Sequence, residues 1–295
     1  MQPTDYALIT GASEGLGKAL ALECAERGIP MVLVALPGSG LAHTANFIQN
    51  HFGVVAHAIE TDLSEEANCF ALHRQVQGLG CRIGILVNNA GMGGTFYFHQ
   101  RSTGYYSRLI RLNTLAPTLL SRLFLDDLLA AAPAHILNVS SLAALFPLPQ
   151  KQVYGGTKSY LLAFSRSLRR ELRPPKVYVS ALCPGAINTS WRLILANRTG
   201  TWLGRRSTLE PQVVAKAAIE GMLRKKARIV PGRINRLLLQ VSNWCPGWLQ
   251  DRLTAFQQKS FKAEVVPLPT SHTPFSQPQN KMYETLVLAT VFLAA

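Results

Sequence analysis

A tyrosine and a lysine four positions apart, Tyr154 and Lys158, are the side chains of this sequence best suited to acid–base chemistry. Apolar residues recur at helical spacing after them, which predicts a helix over residues 152–172 with both side chains on one face. Because a fixed ammonium stabilises a phenolate, we expect Lys158 to lower the pKa of Tyr154 from its usual value near ~10. The pair indicates a proton donor, although the same spacing also arises by chance on solvated helices.

A glycine-rich turn near the start of the chain suits a phosphate group. It reads Thr-Gly-Ala-Ser-Glu-Gly-Leu-Gly over residues 10–17, between an apolar run at residues 6–9 and a helical pattern at residues 18–27. At a strand-to-helix turn, backbone N–H groups and the positive end of the helix can hold a pyrophosphate, and glycine lets the backbone approach it closely. The turn therefore predicts a dinucleotide site.

Further motifs follow in an order and at separations that resemble the short-chain dehydrogenase/reductase family. They are Asn88-Asn89-Ala90-Gly91, Asn113, Ser141 and Pro184-Gly185 with Thr189, and the resemblance covers roughly residues 5–232. It implies an α/β fold of the Rossmann type, a doubly wound parallel sheet of about seven strands with helices on both faces. It also implies an oxidoreductase that transfers a hydride between a nicotinamide cofactor and a carbonyl compound or secondary alcohol.

The resemblance implies four catalytic residues, Asn113, Ser141, Tyr154 and Lys158. Ser141 is expected to donate a hydrogen bond to the substrate oxygen, Tyr154 to supply the proton and Lys158 to keep that proton mobile. Asn113 occupies the position at which family members have a distorted helix and a water that connects the lysine to solvent. The neighbouring Ser140 is expected to be structural.

The resemblance also implies which residues contact the cofactor, besides Tyr154 and Lys158. They belong to the glycine-rich turn, the adenine and ribose positions and the loop beside the nicotinamide, and they are Gly11, Ser13, Glu14, Gly15, Leu16, Gly17, Asp62, Leu63, Asn89, Ala90, Gly91, Pro184, Gly185, Ile187 and Thr189. Asp62 could in addition cap the helix that follows it.

The end of the second predicted strand, at residues 30–35, bears on the choice of cofactor. It is followed by neither the acidic residue typical of NAD enzymes nor the Arg or Lys typical of NADP enzymes. Without a carboxylate to repel a 2'-phosphate, and with Ser39 and the glycine-rich backbone as donors, the sequence favours NADP(H), with NAD(H) as the alternative. The expected chemistry requires no metal.

Apolar residues flank the expected cleft and favour an apolar substrate, such as a 3-oxoacyl, long-chain keto or steroid-like compound. They are Met92, Phe96, Phe98, Leu142, Phe146, Trp191, Leu193, Ile194, Leu195 and Trp202. The alternative is that several of them pack within a loop or at a subunit interface.

Composition divides the 295 residues into three expected parts. Residues 1–232 form the Rossmann domain, residues 233–262 a basic amphipathic extension, and residues 263–295 a Pro-rich irregular tail with an apolar end. Residues 224–262 hold nine Lys or Arg against one Asp, in a chain of net charge +14. Such a segment predicts either a helical cap over the cleft or a peripheral membrane contact through residues 233–262. No nucleic-acid module is recognised.

The remaining expectations concern the setting of the protein. Five cysteines, without metal spacing, predict reduced thiols. No secretory signal precedes the first strand, so a cytoplasmic location is expected. The resemblance implies a homodimer or homotetramer that pairs helices around residues 104–130 and 152–172. Two other classes of function stay open, a non-catalytic cofactor-binding scaffold and a peripheral membrane-binding protein.

Overall fold

A single parallel sheet forms the centre of the molecule. The computed structural model describes residues 5–145, 148–172, 176–188 and 207–244. Within them, seven strands lie in the order β3-β2-β1-β4-β5-β6-β7, and all neighbours are parallel. The strands, numbered along the chain, are Tyr6–Thr10, Met31–Ala35, Ala56–Glu60, Ile83–Asn88, Ala134–Val139, Val177–Leu182 and Arg228–Ile229. The predicted doubly wound α/β fold is confirmed.

Helices cover both faces of the sheet, which explains why its central strands are apolar on both sides. They are α1 (Gly15–Ala25), α2 (Leu41–Phe52), α3 (Glu66–Gly78), α4 (Thr103–Ile110), α5 (Ala116–Leu123), α6 (Leu125–Ala130), α7 (Gln152–Glu171), α8 (Pro211–Leu223) and α9 (Arg233–Trp244). The helices α1, α2 and α8 share one buried apolar cluster with the sheet. The helices α3, α5 and α6 and the end of α7 share the cluster on the other face.

The structure divides the helical segment over residues 104–130 into α4, α5 and α6. A π-helical stretch at Arg111–Leu115 joins α4 to α5, and the chain turns again at Phe124. Pro117 has no backbone N–H and cannot bond to the carbonyl one turn earlier, which favours a wider turn at this point. The apolar periodicity does not reveal this interruption, since it continues through both helices.

Helix α1 begins at Gly15, earlier than the predicted start at Lys18. Glycines are poor helix formers, but their cost is tolerated here because the first turn of a helix needs few internal hydrogen bonds. The helix therefore starts inside the glycine-rich turn. Its first backbone N–H groups lie at the carboxyl end of β1.

The C-terminal part of the described chain continues directly from the sheet. Helix α9 contains the first residues of the predicted basic extension, and its Asn235 and Leu239 are buried against the body. The rest of that extension, the predicted tail and Cys245 lie outside the described residues, so the three-part division stays a prediction. The four described cysteines are free and buried. No described helix is both long and apolar enough to cross a membrane.

Candidate active site

Four segments at the carboxyl edge of the sheet form the candidate site. They follow β1, β4, β5 and β6, the strands on either side of the point where the strand order reverses. In open α/β sheets, ligands bind in the crevice at this edge. The segments contain most of the residues implicated by the sequence, from the glycine-rich turn to Ile187. Thr189, expected beside the nicotinamide, lies outside the described residues.

The glycine-rich turn is shaped for a close approach of backbone to a ligand. Gly11 and Gly15 have positive φ angles of 67° and 54°. A Cβ at Gly17 would overlap the carbonyl oxygen of Gly11. Glu14, at the N-cap of α1, makes no side-chain capping hydrogen bond, so the first N–H groups of the helix face the crevice without a side-chain cap. This arrangement fits a pyrophosphate.

Thr10 and Asn89 hold the turn against the loop that follows β4. The Thr10 hydroxyl accepts hydrogen bonds from the backbone N–H groups of Asn89 and Ala90, at 3.0 and 2.9 Å. The Asn89 side-chain amide donates to the carbonyl oxygens of Thr10 and Gly11, at 2.9 and 3.2 Å. Asn89 therefore shapes the phosphate turn, whereas its expected proximity to the ribose stays a prediction.

Tyr154, Lys158 and Ser141 converge where α7 passes the end of β5. The ammonium of Lys158 donates to the carbonyl oxygen of Val139 at 2.9 Å and lies 5.8 Å from the centroid of the Tyr154 ring. The Ser141 hydroxyl is within hydrogen-bonding reach of the Tyr154 phenol. The Ser140 hydroxyl donates to the carbonyl oxygen of Lys158 at 2.8 Å, so Ser140 is structural, as predicted.

The pKa expected for Tyr154 is wrong in its direction. Burial raises the pKa of Tyr154, and the hydrogen bond with Ser141 only partly opposes this effect. Burial also lowers the pKa of Lys158 to about 8. The attraction of Lys158 for a phenolate does not dominate, because its ammonium is bonded to the strand carbonyl and both groups are desolvated.

Asn113 lies in the π-helical stretch and joins three parts of the site. Its side-chain oxygen accepts from the backbone N–H of Met92 at 2.9 Å, and its amide donates to the Met92 carbonyl oxygen at 2.9 Å. The amide also donates to the Thr157 hydroxyl of α7 at 3.1 Å. A Cβ at Gly91 would stand 3.1 Å from the Asn113 side-chain oxygen and 3.3 Å from the Lys158 ammonium, so this position favours glycine. The predicted helix distortion is confirmed.

The residues expected near the adenine lie at the end of β3. One carboxylate oxygen of Asp62 accepts from the backbone N–H and the hydroxyl of Ser64, at 2.9 and 2.8 Å, and the other pairs with Arg108 at 2.8 Å. Burial alone would raise the pKa of Asp62, but these donors lower it overall. Leu63 is buried beneath the turn. The expectation that Asp62 caps the next helix is wrong, because α3 begins at Glu66 and Asp62 closes the turn before it.

A carboxylate that the sequence reading missed lies beside the loop after β2. Glu60 is the register partner of Ala35, and its Oε2 accepts a hydrogen bond from the backbone N–H of Gly38 at 2.9 Å. One backbone donor that we expected for a 2'-phosphate is therefore already paired. Because Glu60 is remote in sequence from the β2 loop, only the register of β2 with β3 reveals this contact.

Asn235 of α9 is a second residue that the sequence reading missed. Its amide donates to the carbonyl oxygens of Ser207 and Pro231, at 3.0 Å each. Its side-chain oxygen is buried and has no hydrogen-bond partner among the described residues. A Cβ at Gly185 would be 2.9 Å from this oxygen. The loop that borders the expected nicotinamide position thus rests on α9. Pro184, in the same loop, accepts from the backbone N–H of Leu142 at 2.9 Å. Ile187 forms a bridge with Leu209.

A shallow cleft opens in front of Tyr154 and is lined mainly by aromatic and aliphatic side chains. They are Phe96, Tyr105, Tyr106, Leu109, Val153 and Tyr154, with Lys151 and Gln150 beside them. Phe96 therefore occupies the position that the sequence suggested, whereas Phe98 is exposed and stacks on Tyr106 at 5.0 Å between ring centroids. Leu142 packs beside Cys183 instead. Phe146, Trp191, Leu193, Ile194, Leu195 and Trp202 lie outside the described residues.

Comparisons with known proteins agree with this geometry. The sequence matches the family model described as short chain dehydrogenase over residues 5–196. The very-long-chain 3-oxoacyl-CoA reductase of Bos taurus is 28% identical over 266 residues, 89% of this chain and 82% of that protein. The 3-oxoacyl-[acyl-carrier-protein] reductase of Aquifex aeolicus is 30% identical over 189 residues, 64% of this chain and 76% of that protein. A solved short-chain dehydrogenase from Sphingobium yanoikuyae in complex with NADPH is 29% identical, with a TM-score of 0.70 over 91% of this chain and 99% of that one.

Proposed function

Because the chain belongs to the short-chain dehydrogenase/reductase family and is an oxidoreductase, we propose that it interconverts an apolar carbonyl compound and its alcohol with NADP(H). A 3-oxoacyl compound is the first substrate class to test, with long-chain ketones and steroid-like ketones as the other members of the panel. The observation that carries the proposal is the convergence of Ser141, Tyr154 and Lys158 in front of an aromatic cleft. The names of the two 3-oxoacyl reductases support the choice of substrate class.

The roles of the site residues follow from their positions around a substrate oxygen. A bound nicotinamide supplies or accepts the hydride. Ser141 holds the substrate oxygen by a hydrogen bond, and Tyr154 donates the proton that neutralises the developing alkoxide. The raised pKa of Tyr154 keeps its phenol protonated before the reaction, which suits a proton donor in the reductive direction.

Lys158 and Asn113 serve the proton supply and the shape of the site. With a pKa of about 8, Lys158 is close to the pH at which it can exchange a proton with its surroundings. Its position at the end of β5 suits hydrogen bonding to the nicotinamide ribose. Asn113 fixes the backbone of Met92 and the hydroxyl of Thr157, and so holds the loop after β4 against α7.

Two observations support the preference for NADP(H), and one contact in the structure opposes it. No acidic side chain follows β2, and a similar solved protein holds NADPH. The Glu60 carboxylate, in contrast, places a negative charge beside Gly38 and favours NAD(H) at that position. Comparing both cofactors is therefore part of the test.

The oligomer is likewise a proposal. Tyr160 of α7 is 44% exposed, stacks on Phe164 at 6.0 Å between ring centroids and lies 3.0 Å from the hydroxyl of Thr118 on α5. An exposed tyrosine stacked on a half-buried phenylalanine, next to a second helix, suits a homodimer or homotetramer formed through α5 and α7. Its mass in solution, measured by light scattering, tests this arrangement.

The decisive experiment measures nicotinamide absorbance with NADPH and NADH against 3-oxoacyl thioesters, long-chain ketones and ketosteroids. We expect the wild type to turn over at least one class and Tyr154→Phe to lose about two to four orders of magnitude in kcat, since the variant lacks the proton donor. Cofactor affinity, measured by calorimetry, should change little, because the phenylalanine ring fills the same space.

Thr157→Ser serves as the matched control, because it alters the same helix but retains the hydroxyl that Asn113 contacts. Equal turnover by Tyr154→Phe and the wild type would rule out the proposed proton donor. Cofactor binding without turnover of any compound would support a cofactor-binding scaffold instead.

A further inference from the structure

Lys151 is a charged residue on the wall of the cleft whose presence the reaction does not explain. Among the described residues that line the cleft it is the sole charged side chain, since the others are aromatic, aliphatic, amide or glycine. No hydrogen bond or ion pair to its ammonium is found within the described part of the chain. Lys151 is half-buried in the wall of the cleft, and this burial lowers the pKa of its side chain.

The position of Lys151 at the start of α7 further destabilises its positive charge. It is the N-cap residue of a helix of 20 residues, and no acidic side chain occurs in the first turn. The helix dipole is positive at this end, where it disfavours a cation. A negatively polarised oxygen placed in the cleft would offset both the desolvation and the dipole.

Tyr154 shares this part of the helix. It lies three residues after Lys151, in the first turn of α7, and both line the same cleft. The opposite wall is fixed close by, because the backbone N–H of Phe96 donates to the Gln150 carbonyl oxygen at 2.9 Å. The Arg101 guanidinium lies 3.5 Å from the centroid of the Phe96 ring and adds further positive charge at the rim. A substrate whose reacting oxygen lies at Tyr154 can therefore present a second oxygen to Lys151.

We propose that Lys151 is a specificity-determining residue, which binds a carboxyl-derived oxygen close to the reacting carbonyl of the substrate. The structure thereby favours oxoacyl compounds, which carry such a second oxygen, over plain ketones. The aromatic wall would receive the apolar part of the same molecule. This inference rests on the proposed function and narrows its substrate class.

The second oxygen can belong to a free carboxylate or to a neutral acyl group, and a matched set of substrates distinguishes them. The set is a 3-oxoacyl N-acetylcysteamine thioester, the free 3-oxo acid and a plain ketone of the same chain length. Wild type, Lys151→Met and Lys151→Arg are compared by kcat/KM. Lys216→Met, on the exposed side of α8, is the control for loss of a lysine.

We expect Lys151→Met to lower the ratio of kcat/KM for an oxygen-bearing substrate to that for the plain ketone by about tenfold, as the loss of a charge-assisted hydrogen bond implies. The effect should lie mainly in KM, and Lys151→Arg should retain part of the preference. A change for the free acid alone would assign the oxygen to a carboxylate, and a change for the thioester as well would assign it to an acyl carbonyl.

An unchanged ratio would overturn the role of Lys151 and leave the proposed function intact. If the wild type turned over none of the three compounds and no ketosteroid, the proposed function would fail, and calorimetry with the same three compounds would still decide the inference. Equal binding of the plain ketone and the oxygen-bearing compounds by the wild type would then count against it. Tighter binding of the oxygen-bearing compounds, lost in Lys151→Met, would support it.

Discussion

Lys158 belongs to the candidate site, but as a buried charged residue it lowers the stability of the folded protein. Its side chain is 5% exposed, and its ammonium has one hydrogen bond, to Val139, among the described residues. Charged groups are rarely buried with so few partners, because desolvation disfavours the charged form. The lowered pKa, about 8 against 10.5 for a free lysine, expresses this cost.

The cost of burying Lys158 should be visible in the pH dependence of stability. Between pH 8 and 10.5 the unfolded chain binds a proton at this residue that the folded protein does not, so the free energy of unfolding should rise with pH in this window. Lys158→Met lacks this pH-dependent contribution to the free energy of unfolding, which amounts to at most about 3 kcal/mol. We therefore expect the wild type to gain stability relative to the variant from pH 8 to 10.5 in urea unfolding.

The exposed Lys216→Met variant provides the control for this measurement and should follow the wild type across the same range. Parallel curves for the wild type and Lys158→Met would show that the burial of Lys158 carries no such cost. Because Lys158 is also part of the candidate site, we expect its variant to be inactive at every pH tested. The two measurements separate the structural effect of the residue from its chemical effect.

At the scale of the element, helix α7 contains two adjacent glycines that differ in their surroundings. A Cβ at Gly155 would be 3.2 Å from the Ala143 carbonyl oxygen, whereas a Cβ at Gly156 would meet nothing within 4 Å. A glycine costs a helix about 1 kcal/mol relative to alanine, so each of the two positions needs its own explanation. The structure gives a protein contact as the reason for Gly155 and none for Gly156.

Gly156→Ala should therefore stabilise the protein. Alanine favours the helical state over glycine by about 1 kcal/mol, and the added methyl group meets no atom of the described chain. We expect a gain of roughly 0.5–1 kcal/mol in the free energy of unfolding from urea titration, with turnover retained. Gly155→Ala is the matched comparison and should gain less. A loss of stability in Gly156→Ala would show that α7 cannot accept the methyl group.

The fold, and the grouping of most candidate site residues at one edge of the sheet, could be predicted from local patterns and from the family resemblance that they carry. Apolar runs located the strands, and the glycine-rich turn with Tyr154 and Lys158 indicated the edge at which a ligand binds. Glu60 and Asn235 could not be predicted in this way, since each acts on a loop that is distant in sequence. The break between α4 and α5 was expected only from the resemblance at Asn113, because hydrophobic periodicity does not register the missing N–H of Pro117.

At the scale of the whole molecule, the two edges of the sheet serve different purposes. The candidate site lies at the carboxyl ends of the strands, whereas His135 lies near the amino end of β5. His135 is buried, faces Tyr178 on β6 at 5.8 Å between ring centroids, and has a buried Nδ1 without a partner among the described residues. Burial, followed by the positive charges of Lys225 and Arg169, lowers the pKa of His135 to about 4. This edge can therefore influence stability without contacting substrate.

We expect His135 to make the fold sensitive to acid. As the pH falls from 6.5 to 4, His135 binds a proton in the unfolded chain but not in the folded protein. The free energy of unfolding therefore decreases over this range, by at most about 3 kcal/mol from this residue. In His135→Leu the free energy of unfolding should fall less steeply over this range, while cofactor binding at pH 7 is retained. Ser141→Ala should show the opposite pattern, with the acid slope of the wild type and impaired turnover. If His135→Leu and the wild type lose stability at the same rate, the acid sensitivity of this fold comes from groups other than His135.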